Sequence, residues 1–177
     1  MSSGKKISKM VLSAMFLAIA LVLPFLTGQI PQIGNALCPM HIPVLLCGFF
    51  CGPFYGAIVG FVAPLLRALL FGVPPILPKG IAMAFELMGY GLMSGLMYRI
   101  LPKKNINVYV SLITAMITGR IIWGVARVLL YGLGQYEFGW KLFLSGAFLT
   151  ATPGIIVQLV LVPIIVIALK KYAANSE

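Results

Sequence analysis

The sequence predicts an all-α integral membrane protein with six transmembrane helices. Hydrophobic residues make up 61% of the 177-residue chain and charged residues only 9%, whereas soluble domains carry roughly 25% charged residues. The basic residues stand mostly at the ends of long apolar runs, which is typical of membrane spans and not of a surface that binds nucleic acid. We expect one membrane domain, 1–177, without a soluble catalytic domain.

Apolar runs separated by charged residues, glycine and proline define the predicted helices, which cover 7–26, 41–54, 56–72, 81–100, 107–132 and 142–169. The stretch 40–72 is longer than one span of roughly 20 residues, so we divide it near Gly52 and Pro53 into two short helices. A re-entrant pair in this stretch, with four full spans, is the alternative. The first run lacks a small-residue cleavage site and is interpreted as a retained span.

Basic residues flank the predicted helices unevenly. If the chain crosses six times, eight of them fall on one side of the membrane: Lys5, Lys6, Lys9, Arg99, Lys103, Lys104, Lys170 and Lys171. Only Lys79 and Lys141 fall on the other side. The positive-inside rule therefore predicts that both termini lie in the cytoplasm.

Acidic residues are too few for most membrane enzymes. The chain has no aspartate, and its only acids are Glu86, Glu137 and Glu177. Magnesium sites rich in aspartate and paired catalytic carboxylates therefore cannot form, and neither an HExxH motif nor a P-loop is present. We predict no enzymatic activity and no cofactor, and we expect uphill transport to depend on a partner that hydrolyses ATP.

Cysteine and histidine give no metal site by their spacing. Cys47 and Cys51 lie four residues apart and Cys38 precedes them, but no second ligand pair follows, so we interpret them as small buried apolar residues. His41, the only histidine, is placed at the outer membrane edge and interpreted as an amphipathic interfacial residue.

Four ionisable residues fall inside the predicted spans: Arg67, Glu86, Arg120 and Arg127. Each costs roughly 2.5–3.5 kcal/mol at a helix centre on insertion scales, so they are expected to face one another or a polar site. Arg67, Glu86 and Arg127 share a depth in the outer half, and Arg120 lies two turns below Arg127 with Trp123 between them. One glutamate cannot neutralise three arginines, which favours a bound carboxylate. In the structural alternative, one arginine pairs with Glu86 and the others reach outward to the interface or cap backbone carbonyls.

Small residues four apart mark two possible close-packing surfaces. Ala14 and Ala18 form such a pair on the first predicted helix, and Gly91 and Gly95 form one on the fourth. These surfaces let helices approach closely in lipid, most often within one chain.

Several segments together resemble the S-components of energy-coupling factor (ECF) transporters, the membrane subunits that capture vitamins. The similar segments are AMFLA at 14–18, GPFYGAIVG at 52–60, FGVPP at 71–75, FELMGYGLMSG at 85–95 and GRIIWG at 119–124. The resemblance covers nearly the whole chain, and AMFLA matches the AxxxA pattern of the family's first helix.

The resemblance implies a high-affinity vitamin site on the outer side, formed by the fourth to sixth helices and the loops after the first and fifth. The residues expected there are Arg127, Arg120, Glu86, Trp123, Tyr90, Asn35, Gln158 and, with the least certain role, Arg67. It also implies that Ala14 and Ala18 dock on a transmembrane coupling subunit that carries two cytoplasmic ATPases, in the plasma membrane of a bacterium.

The arginine excess selects among the vitamins that this family binds. It disfavours the cation thiamine, and neutral riboflavin would not need it, so pantothenate is the first choice. Folate, biotin, a pyridoxine-like vitamin and a queuosine precursor stay open, as does riboflavin. The alternative function is a stand-alone anion-selective facilitator or channel, which would transport without partners. A membrane enzyme, the other rival, would need Glu86 as its catalytic carboxylate and would convert its ligand.

Overall fold

Helices make up all the regular structure in the described residues. The computed structural model describes residues 3–27, 38–102, 104–133 and 152–175, and these ranges contain no strand. The helices are α1, Ser3–Val22; α2, His41–Cys51; α3, Pro53–Phe71; α4, Ile81–Ile100; α5, Asn105–Leu133; and α6, Thr152–Asn175. A 3-10 turn, Leu23–Thr27, continues α1, and a wide turn, Ile76–Gly80, leads into α4.

Five segments of the described chain are long and apolar enough to cross a bilayer: Gly4–Phe25, Pro53–Phe71, Ile76–Ile100, Asn105–Leu130 and Thr152–Tyr172. They show a helical, multi-pass membrane protein. The shorter helix α2 has 11 residues and rises only about 16 Å, about half of the roughly 30 Å hydrocarbon core. Residues 142–151 of the last predicted helix lie outside the described residues.

The break between α2 and α3 lies at Gly52, one of the two residues at which the sequence predicts the division, although the predicted helix bounds placed the gap at 55. Gly52 has a φ of 100°, a left-handed conformation that favours glycine. Its N–H donates to the carbonyl of Gly48 at 3.1 Å and so closes α2. Pro53 then begins α3, where its missing N–H costs no helical hydrogen bond. The chain turns sharply at these two residues, and Gly52 alone separates the two helices.

Helix α2 occupies the centre of the bundle. Nine of its eleven residues are buried, and it packs against α1, α3, α4 and α6. A helix that is apolar on all sides is typical of such a position. Because neighbouring helices surround α2, its first residue, His41, lies inside the protein.

Glycines allow α4 to lie directly on the corner between α2 and α3. A methyl group at Gly91 would overlap the backbone of Gly56, and one at Gly95 would come within 2.7 Å of the Gly48 carbonyl oxygen. The predicted close packing at Gly91 and Gly95 therefore occurs within the chain. On α5, Gly119 lies against the ring of Tyr90, which brings the next residue, Arg120, close to α4.

Candidate functional site

Three helices place a buried ion pair and a histidine together. Glu86 lies on the second turn of α4, and its Oε1 atom is 3.1 Å from Arg120 Nη1 on α5. The two side chains are only 3% and 12% exposed. His41, at the start of α2, places its Nε2 atom 3.5 Å from the same carboxylate oxygen. Of the three arginines predicted inside the spans, Arg120 is therefore the one that forms an ion pair with Glu86.

Tyr90 completes this group one helical turn after Glu86. Its side chain is fully buried, and its ring meets the His41 ring edge to face, with centroids 5.0 Å apart. Gly119 leaves room for the tyrosine ring between α4 and α5. We call His41, Glu86, Tyr90 and Arg120 the buried polar cluster.

The cluster has more hydrogen-bonding capacity than its own members use. Within the described part of the chain, Arg120 Nε and both ring nitrogens of His41 have no aligned hydrogen-bond partner, and the Tyr90 hydroxyl makes only a poorly aligned contact with Arg120. Glu86 Oε1 likewise lacks an aligned partner, so its contact with Arg120 is an ion pair and not an aligned hydrogen bond. Each buried polar group left unsatisfied costs about 1–3 kcal/mol. Fold stability alone does not explain such a group of atoms.

Cys38 borders the cluster just before α2. Burial raises the pKa of its thiol to about 11, Glu86 acts in the same direction, and Arg120 opposes the shift while donating a hydrogen bond to the sulfur. At neutral pH Cys38 is therefore a protonated thiol, not the thiolate that binds metals.

Arg127 stands two turns further along α5 in different surroundings. Its guanidinium lies over the Trp123 ring, 4.8 Å from the centroid, and Trp123 packs against Ala82 of α4. The positive charge of Arg127 also acts on Lys79, which in turn interacts electrostatically with Cys38. We call Lys79 and Arg127 the basic pair. Cys38 connects it to the buried polar cluster.

Comparison with known families decides the class of protein. The model of the family described as "ECF transporter, substrate-specific component" matches residues 8–166. The chain belongs to this family. It is a substrate-specific component of an ECF transporter, and hence a transport protein that binds a substrate and not an enzyme. Comparison with curated proteins and with solved structures gives no match.

Family membership also gives this S-component its setting. Substrate-specific components associate with the membrane and ATPase components of an ECF transporter. The five apolar segments agree with a multi-pass position in the membrane. The buried polar cluster and the basic pair are the candidate substrate site.

Arg67 caps a backbone carbonyl, as in the structural alternative, and does not lie beside Glu86. Its Nη1 atom donates to the carbonyl of Leu21 at 2.8 Å, and its guanidinium lies 5.1 Å from the Phe25 ring centroid and 5.6 Å from that of Phe71. These contacts fasten the end of α1 to α3. Glu86 contacts Arg120 and His41 instead, so the shared depth did not bring Arg67 and Glu86 together. A binding role for Arg67 stays a prediction.

Two further predicted binding residues have no tested role. Gln158 is 1% exposed on α6, and its Oε1 atom has no partner among the described residues. Asn35 lies outside the described residues. Both remain predictions for the substrate site of this S-component.

Three residues near the site were missed from the sequence. The interpretation of His41 as interfacial is wrong, because the residue is 2% exposed and contacts Glu86. Lys79 and Cys38 were not expected to interact with the site. The available signals were weak: His41 is the only histidine, and Lys79 is one of two basic residues on the predicted outer side.

The predicted docking residues lie on the free side of α1. Ala14 and Ala18 are exposed, while Ser13, Phe16 and Ala20 on the other side are buried. Of the five candidate spans, the one that contains α1 is the least buried, at 22%. Gly91 and Gly95 pack against other helices of the chain, whereas Ala14 and Ala18 stay exposed and can contact another protein.

Removing Arg120 alone should destabilise the S-component more than removing both members of the ion pair. Arg120→Leu leaves the Glu86 carboxylate buried without its cation, which costs about 3–5 kcal/mol. The double variant Glu86→Leu/Arg120→Leu replaces the pair by apolar side chains and should recover most of that loss. Unfolding of the four proteins in detergent, followed by circular dichroism, gives the interaction energy.

The matched control is the cycle of Glu86→Leu with Arg127→Leu, since the structure pairs Glu86 with Arg120. In this control, the change in free energy of unfolding of the double variant should equal the sum of the changes in the two single variants. If the Glu86 and Arg120 substitutions were equally additive, the two residues would not form a buried ion pair.

Proposed function

We propose that this S-component is the high-affinity subunit for a small anionic vitamin, with pantothenate as the first choice. The observation that carries the proposal is the charge balance at the candidate site. Among the described residues, three cationic side chains, Arg120, Arg127 and Lys79, lie at the candidate site together with one carboxylate, Glu86. Folate and biotin, both carboxylates, are the next choices, and pyridoxine and riboflavin follow.

The basic pair places two further cationic side chains beside the ion pair. Glu86 contacts Arg120 directly, whereas Arg127 and Lys79 repel each other. A carboxylate bound between them would offset this repulsion, and the guanidinium fork suits a carboxylate well. Trp123, beneath Arg127, offers an apolar surface for the rest of the ligand. This arrangement disfavours a cation such as thiamine.

We further propose six membrane crossings with both termini in the cytoplasm of a bacterial cell. The basic residues around the helix ends support this orientation, and it places the substrate site toward the outside. Helix α2 is short, but a crossing segment that is surrounded by protein can contain non-helical backbone. Burial of α2 among four helices supports such a crossing.

The exposed alanines support a docking role for α1. In this proposal Ala14 and Ala18 contact the transmembrane coupling subunit, which carries two ATPases. Small exposed residues allow the close helix approach that such a contact needs. The sequence has no P-loop of its own, so these partners supply the energy of transport.

Substitution of Arg127 tests the charge of the substrate. Arg127→Gln should weaken pantothenate binding by about one to two orders of magnitude, because a charge-assisted hydrogen bond contributes roughly 1.5–3 kcal/mol. Arg127→Lys keeps the charge but not the fork and should retain part of the affinity. Isothermal titration calorimetry of the purified proteins measures both.

The control ligand is pantothenamide, in which an amide replaces the carboxylate. It should bind the natural protein more weakly than pantothenate does, and the difference should nearly vanish in Arg127→Gln. Equal losses on amidation in both proteins would show that Arg127 does not contact the carboxylate.

Enlarging the small residues on α1 should separate binding from transport. Ala14→Trp and Ala18→Trp should leave pantothenate affinity of the isolated S-component unchanged, because both positions are exposed and distant in sequence from the site residues. Uptake of radiolabelled pantothenate by cells that contain the whole transporter should fall at least tenfold.

Ile117→Trp is the matched control for this experiment. Ile117 is 57% exposed on α5, so the substitution enlarges a different exposed surface and uptake should stay near normal. Loss of ligand binding in the Ala14 or Ala18 variant would mean that α1 supports the site, and the docking assignment would be wrong.

A further inference from the structure

We propose that the buried polar cluster receives an uncharged hydrogen-bonding end of the substrate, a hydroxyl or amide group, while the basic pair holds the carboxylate. This inference rests on the proposed function and adds a second point of recognition to it. The substrate would then be an elongated acid with a neutral polar group at the end away from its carboxylate.

The ion pair does not account for the whole cluster. Glu86 and Arg120 balance each other's charge, yet in the described ranges both His41 ring nitrogens, Arg120 Nε and the Tyr90 hydroxyl lack an aligned hydrogen bond, although His41 lies beside Glu86 and Tyr90 beside Arg120. All of these atoms lie in a part of the protein that is closed to water, since Tyr90, His41 and Glu86 are at most 2% exposed. Buried polar atoms of this kind usually have a partner.

The types of atom indicate which partner fits. Glu86 offers an acceptor, Arg120 Nε a donor, and Tyr90 and His41 each offer both. A second carboxylate would face repulsion from Glu86, and a cation would compete with Arg120. A hydroxyl or an amide both donates and accepts without adding charge, so it satisfies the cluster without disturbing the ion pair.

The spacing along α5 sets the length of the substrate. Arg120 and Arg127 are seven residues apart, which corresponds to about 10.5 Å along the helix axis. Trp123 lies between them and packs against α4. This spacing is compatible with a substrate whose carboxylate and neutral polar group lie on the order of 10 Å apart, with a less polar middle beside the tryptophan. Pantothenate, with a carboxylate at one end and two hydroxyls at the other, has an extended length of this order.

Tyr90→Phe is the sharpest variant for a test. It removes only a hydroxyl that makes no aligned hydrogen bond among the described residues and touches Arg120 alone, so the ligand-free protein should unfold at nearly the same temperature as the natural one. Pantothenate affinity, measured by titration calorimetry, should nevertheless fall roughly three- to tenfold, the effect of one neutral hydrogen bond. Tyr109→Phe, on an exposed part of α5, is the matched control and should change neither quantity.

A modified ligand shows which end of the substrate Tyr90 contacts. The analogue of pantothenate in which both hydroxyls are replaced by hydrogen should bind the natural protein more weakly, and Tyr90→Phe should weaken it no further. Arg127→Gln should lower the affinity for pantothenate and for this analogue by the same factor, because it acts on the other end. If the protein binds folate or biotin instead, Tyr90→Phe should lower the affinity for that vitamin and leave the melting temperature of the ligand-free protein unchanged.

The outcomes separate this inference from the proposed function. Binding of pantothenate that depends on Arg127 but not on Tyr90 or on the ligand's hydroxyls would overturn the inference and leave the proposed function intact. Failure of pantothenate, folate and biotin to bind the natural protein would overturn the proposed function, and the inference with it. A fall in melting temperature of ligand-free Tyr90→Phe would assign the hydroxyl a structural role and also overturn the inference.

Discussion

The buried contact between Glu86 and Arg120 is the interaction on which the rest of the site depends. In a chain surrounded by lipid, a charged side chain costs roughly 2.5–3.5 kcal/mol at a helix centre unless it finds a partner. At 3.1 Å the two residues supply that partner to each other. The contact requires α4 and α5 to lie close together, and Gly119, directly before Arg120, leaves the space for Tyr90 that this approach needs. His41 then joins the carboxylate from α2.

The proposed substrate site and the proposed docking surface lie on different helices. Helix α5 carries Arg120, Trp123 and Arg127 and thus connects the buried polar cluster with the basic pair. Helix α1, in contrast, leaves Ala14 and Ala18 exposed. Arg67 of α3 connects the two helices α1 and α3, because its side chain donates a hydrogen bond to the carbonyl of Leu21 at the end of α1. Substitutions on α1 and on α5 can therefore be expected to affect different steps of transport.

Composition and apolar run length were sufficient to predict a helical membrane protein, because lipid requires backbone hydrogen bonds to be satisfied within each segment. The charge count also predicted that Glu86 would pair with an arginine. It could not choose Arg120, since position along a helix gives depth but not the direction in which a side chain points. For the same reason Arg67 was grouped with Glu86, although its contacts are with Leu21, Phe25 and Phe71. His41 was missed because a single residue at a helix start has no periodic pattern, and its burial depends on the packing around α2.

The central claim is that the site binds an anionic vitamin without altering it. The most direct measurement is mass spectrometry of the small molecule that co-purifies with the protein, produced in cells that are supplied with isotope-labelled pantothenate, biotin, folate, riboflavin, pyridoxine and thiamine. We expect one labelled carboxylate vitamin, pantothenate first, recovered unaltered and close to one molecule per chain. Recovery of riboflavin, pyridoxine or thiamine, or of a chemically changed product, would contradict it.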